Sequence, residues 1–122
     1  MESYFLGIDH VQVTTPPNCE SEVRKFYSEI LGFQEINKPN NLAKKDGVWF
    51  QVGQQQLHVG IEHDFSPAKK AHPAFLVKDA SSVRKSLEAK SVEIIYGDEL
   101  EDADHFYIFD PFDNRLEIIE WL

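Results

Sequence analysis

Asp110-Pro-Phe-Asp-Asn-Arg-Leu-Glu-Ile-Ile-Glu-Trp121 is the stretch from which the rest of the chain is read. Its Pro, Asp and Asn residues make a turn, and the run that follows is a strand. Alternate side chains on a strand share a face, so Arg115, Glu117 and Ile119 point one way while Leu116, Ile118 and Leu122 point the other. The second set reads as core. Glu117 is then a carboxylate between Leu and Ile, and burying a charge alone costs on the order of tens of kcal/mol. It needs a partner. Arg115 or a nearby Lys is the ordinary one; a metal ion is the other, and it sends the search for co-ligands through the chain.

Working outward from that strand, the second half begins with His72–Val77 as a strand and Asp79 as the N-cap of a helix over Ala80–Lys90. Strands at Val92–Tyr96 and Phe106–Phe109 follow. The first half has the same order. Phe5–Thr14 is a strand ended by Pro16-Pro17, and Asn18 is placed to cap a helix over Glu20–Leu31 whose apolar residues Val23, Phe26, Tyr27, Ile30 and Leu31 fall on one face. Gly32 stops that helix, with Phe33 folding back over it. Strands at Phe33–Ile36, Val48–Val52 and Gln56–Glu62 complete the half. Both halves therefore read β-α-β-β-β, which predicts an α+β fold and one domain over residues 1–122, with modules at about 5–63 and 71–122.

Single residues support a repeat. Val23-Arg24-Lys25 recurs as Val83-Arg84-Lys85, Gln56-Leu57-His58 aligns with Arg115-Leu116-Glu117, Phe50 with Phe109, and His10 with His72. His10, His58, His72 and Glu117 thus use two structural positions, each twice. Three imidazole nitrogens and one carboxylate oxygen suit Zn, Fe(II), Mn, Ni or Co better than Ca or Mg, which prefer oxygen shells. A lone strand His is more often a surface or core-edge residue; joint placement at repeat-equivalent positions is what favours ligation. His63, in the connector, and His105, at the exit of an acidic loop, read instead as solvated or substrate-rim residues. Strand parity offers Gln12, Val48, Phe50, Tyr107 and Arg115 as pocket lining. Arg115 is suited to a carboxylate or phosphonate, or to an acidic surface neighbour.

Composition narrows the function. A chain of 122 residues, 42% hydrophobic and 27% charged, is long enough to bury a core of its own. Its formal net charge of -9 argues against nucleic acid and anionic membranes, which require clustered Lys and Arg, and leaves a small molecule as the expected partner. The single cysteine, Cys19, has no internal disulfide partner. The start Met1-Glu2-Ser3-Tyr4-Phe5 is neither basic nor followed by a long apolar run, so a cytoplasmic address is expected.

The order Gly7-Ile-Asp-His10-Val-Gln-Val, Phe26-Tyr27 with Leu31-Gly32-Phe33, Gln56-Leu57-His58, His72-Pro-Ala-Phe-Leu-Val77, and Phe106-Tyr-Ile-Phe-Asp-Pro111 with Asn114-Arg-Leu-Glu117 resembles the vicinal oxygen chelate superfamily. That group includes glyoxalase I, extradiol dioxygenases, fosfomycin-resistance transferases and bleomycin-resistance proteins. The resemblance covers nearly the whole chain. It implies paired β-α-β-β-β modules curling into partial barrels around a divalent metal, often in homodimers. His10, His72 and Glu117 match the usual ligand positions. His58 stands at a fourth position that is Glu in glyoxalase I, which leaves Glu117 as the one carboxylate available for proton transfer. Tyr107 matches a substrate contact of the fosfomycin enzymes, and Asp113 stands where the family turn usually has Gly. The resemblance implies a metal-dependent lyase, isomerase or thiol transferase, with a dioxygenase less favoured. The alternative is a metal-free drug-binding protein like the bleomycin-resistance proteins, for which the acidic charge suits a cationic ligand.

Overall fold

A computed structural model describes residues 3–122, and the chain divides into two compact units, Met1–His63 and Asp64–Leu122. Met1 and Glu2, the start of the segment read for a secretion signal, lie outside the described residues. No described helix is long and apolar enough to cross a membrane.

In the first unit, β1 (His10–Thr15) begins later than expected. Tyr4, Phe5, Leu6 and Ile8 are exposed, so apolar composition alone overextended the strand. Helix α1 (Glu20–Val23) continues as a π-helix over Arg24–Ile30, visible in the Leu31 N–H donating to the Phe26 carbonyl five residues back. Its N-cap is Cys19 rather than Asn18, which itself sits in left-handed backbone at φ 64°. At the other end Gly32 takes φ 80° and the Phe33 N–H donates to the Tyr27 carbonyl at 2.9 Å, a closure that only a residue tolerant of positive φ allows cheaply. Strands β2 (Gln34–Ile36), β3 (Val48–Val52) and β4 (Gln55–Ile61) complete a sheet of order β1-β4-β3-β2, with β1 parallel to β4. Val48, Phe50, Leu57 and Val59 form its buried face, and Tyr27 packs on it with its ring centroid 5.8 Å from Phe50. Each such side chain contributes about 1.5–3 kcal/mol by leaving water.

The second unit holds β5 (Ala74–Leu76), α2 (Ala80–Ala89), β6 (Ala103–Phe109) and β7 (Arg115–Trp121), with sheet order β5-β7-β6. The strand expected at 92–96 is reduced to one bridge, in which Ile95 and Tyr107 exchange backbone hydrogen bonds of 2.9 and 2.7 Å. Its approach is broken by Ser91, at φ 64°. Asp79 caps α2 by accepting from the Ser82 N–H at 3.1 Å, and Glu120 accepts from the Ala80 N–H at 2.9 Å, which ties the helix to β7. Phe106, Ile108, Leu116, Ile118 and Leu87 are buried. Leu122, expected inside, is 80% exposed, and Ile119 is buried instead.

Register makes the repeat explicit. Gln12 lies opposite His58 and Ala74 opposite Glu117, at offsets of 74 − 12 = 62 and 117 − 58 = 59. Trp49 lies opposite His58 and Tyr107 opposite Glu117, an offset of 107 − 49 = 58. The counterpart of Phe50 is therefore Ile108, since both lie opposite a buried Leu, and not Phe109 as residue matching suggested.

Candidate functional site

In the first unit, β1 and β4 bring His10 and His58 together, their rings stacked 4.0 Å apart at 18°. Trp49, directly opposite His58 on β3, covers its other face at 3.6 Å and 3°. That cover explains why His58 is buried on a face otherwise carrying polar side chains. Burial, and then the neighbouring His10, hold the His58 imidazole below its usual pKa, so it is neutral at pH 7. Its Nε2 is 2.9 Å from the Gln56 carboxamide oxygen. His10 presents Nδ1 to the Asp9 carboxylate at 2.9 Å; that oxygen accepts, so Nδ1 carries the proton and Nε2 keeps its lone pair. Gln12 is exposed on the same face, opposite His58. Phe50 and Val48 do not face His58. Both are buried in the core, because the strand parity used to choose them runs the other way: Trp49 and Gln51 share the face of His58.

In the second unit, Glu117 receives two histidines. His72 Nε2 lies 2.9 Å from Oε1 and His105 Nδ1 2.7 Å from Oε2. His105, expected at the rim or in solvent, is thus a direct partner of Glu117. Sequence alternation puts His105 and Tyr107 on one face of β6, but only the register, which sets Tyr107 opposite Glu117, shows that this face is that of the carboxylate. Burial would raise the Glu117 pKa, but the hydrogen bonds from His72 and His105 outweigh it and hold the carboxyl below its usual range. Burial likewise works against a charged His105, but the Asp98 carbonyl, 2.7 Å from Nε2, and the Glu117 carboxylate raise its pKa. The other His72 nitrogen, Nδ1, donates to the Lys70 carbonyl at 2.8 Å, so both ring nitrogens face an oxygen acceptor and the ring is held at two points. Tyr107 stands between these groups, edge-on to His72 and His105, with the Arg115 guanidinium 3.9 Å from its ring centroid. Together they line an open pocket of about 640 Å³. His63, at the end of the first unit, is exposed.

Among the described residues no three His, Cys, Asp or Glu side chains are disposed to hold one metal ion. Each unit offers a pair. The donor chemistry of the pairs nevertheless fits a divalent ion: His10 and His72 both have Nδ1 engaged by an acceptor, and His58 is held neutral. The 2.9 Å between His72 Nε2 and Glu117 Oε1 equals the edge of an octahedral shell with bonds of about 2.1 Å. The groups that orient these donors, Asp9 and the Lys70 carbonyl, were not visible in residue spacing.

Over residues 7–118 the sequence matches the Glyoxalase/Bleomycin resistance protein/Dioxygenase superfamily. The chain belongs to that superfamily. A glyoxalase family protein from Bacillus anthracis is 45% identical over 100% of both chains, with a TM-score of 0.96. A glyoxalase/dioxygenase from Nostoc punctiforme is 18% identical over 100% of this chain and 99% of its own, at 0.80. A lactoylglutathione lyase from Agrobacterium tumefaciens is 17% identical over 97% and 96%, at 0.75. At those identities the last two speak for the superfamily's mixed α+β fold alone. No curated protein matches.

Proposed function

We propose that this glyoxalase-superfamily chain is a metal-dependent enzyme whose metal ligands are His10, His58, His72 and Glu117, for a divalent ion such as Zn, Mn, Ni or Fe(II). The observation that carries the reading is the His72–Glu117 pair, 2.9 Å apart with the far nitrogen of His72 fixed by the Lys70 carbonyl, at positions that register makes equivalent to His10 and His58. When bound, the ion supplies Lewis acidity toward substrate oxygens, as a lyase, isomerase or thiol-transfer reaction requires.

Glu117 is the residue we assign to proton transfer. Its lowered pKa keeps it ionised at neutral pH, so it has a lone pair to offer a substrate C–H or O–H. His105 holds the second carboxylate oxygen and so orients the first, while Tyr107, Arg115 and Gln12 contact substrate. A homodimer in the cytoplasm is the form in which we expect the enzyme to work. The test is elemental analysis of purified protein beside His72→Ala and Glu117→Ala. Near-stoichiometric metal in the wild type, lost in both variants, is the expected result. A wild type that takes up none of Zn, Mn, Ni or Fe(II) overturns the reading and turns attention to metal-free binding of small molecules.

A further inference from the structure

The chain has three arginines, and two of them pair with carboxylates: Arg24 with Glu35 at 2.9 Å and Arg84 with Asp104 at 2.6 Å. Arg115 has no such partner among the described residues. Its nearest acid along the strand is Glu117, one same-face position and about 7 Å away, but both oxygens of that carboxylate are taken by His72 and His105. Phe109 lies opposite it on β6. What Arg115 does contact is the Tyr107 ring, 3.9 Å from the guanidinium carbon. Stacking holds the plane of the fork without consuming its N–H donors. Arg115 as a residue is half-buried and lines the pocket of the second unit, and Lys70 lines the same pocket. In an acidic chain, a fixed guanidinium with unspent donors beside a carboxylate already committed elsewhere is a receptor for an anion.

We propose that Arg115, held on Tyr107 and assisted by Lys70, is a subsite for a small oxyanion, so that the substrate of this chain carries a carboxylate, phosphonate or phosphate group. The inference rests on the proposed function for the word substrate, but the subsite itself does not depend on metal. With Arg115 and Glu117 about 7 Å apart on one face, the anionic group lies within the length of a small molecule from the carboxylate assigned to proton transfer.

The test is calorimetric titration of the full chain, stripped of metal, with methylphosphonate, inorganic phosphate and propionate at a constant ionic strength of about 0.15 M, where exposed charges are screened. At least one probe is expected to bind the wild type and Glu117→Ala, to bind Arg115→Ala at least about tenfold more weakly, and to recover only partly in Arg115→Lys, which keeps the charge but not the fork. Preference among the three assigns the anion as phosphonate, phosphate or carboxylate. Equal binding to wild type and Arg115→Ala, or no binding of any probe to the wild type, overturns the proposal. Metal uptake is read separately, on portions of each preparation taken before stripping and after incubation with Zn, Mn, Ni and Fe(II): anion binding that depends on Arg115 in protein that takes up no metal leaves the subsite standing and removes the metalloenzyme.

Discussion

Asp110 is 3% exposed, and its carboxylate accepts from the backbone N–H of Phe112 at 2.9 Å, the backbone N–H of Asn114 at 2.8 Å and the Asn114 carboxamide at 2.8 Å. These bonds close the turn that launches β7, and so set which face Arg115 and Glu117 occupy. Asp113, at φ 69°, fills a position that glycine usually takes, and Asp tolerates it because its short polar side chain does. Removing the acceptor strands two buried donors of Asn114 and a part-buried one of Phe112 at once. Asp110→Ala is therefore expected to lose about 2–4 kcal/mol in urea unfolding, and Asp110→Asn less, since a carboxamide oxygen still accepts. Equal stability of Asp110→Ala and wild type would show that water replaces the carboxylate at no cost.

Helix α2 depends on its N-cap, Asp79, in a way that pH can expose. Hydrogen bonds from the Ser82 hydroxyl and backbone hold the Asp79 carboxyl below its usual pKa, and the Ser82 hydroxyl lies 2.8 Å from Oδ2. A depressed folded pKa means stabilisation that is fully present above the unfolded value of about 3.9 and is lost as pH falls through the folded value. The melting difference between wild type and Asp79→Ala should stay constant from about pH 5 to 8 and close below about pH 4. A gap that persists in acid would place the cap's contribution elsewhere. This cap, like Gly32 behind α1, was legible in sequence because its chemistry is local. The strand at 92–96 was not, since pairing with Tyr107 is decided by what lies across the sheet. The site divided in the same way. Of the four residues that repeat spacing singled out, His10 meets His58 and His72 meets Glu117, whereas His105 reaches Glu117 only through the β6–β7 register, and Phe50 was misplaced by a one-residue error in strand parity that sends every side chain to the other face.

Across the whole chain the formal charge of -9 works against folding through self-repulsion. Raising NaCl from about 10 to 150 mM shortens the Debye length to roughly 8 Å and is expected to raise the melting temperature; a fall would mean that the few ion pairs outweigh the net repulsion. The register repeat carries a consequence of another kind. Positions 58 and 117 are one site written twice, yet one holds His and the other Glu. A duplicated unit lets such twins drift separately, so the charge of the proposed donor set changes by a single step when one copy mutates while the other preserves the scaffold. Exchanging His for Glu at either position would therefore alter the charge of the proposed donor set without rebuilding a strand.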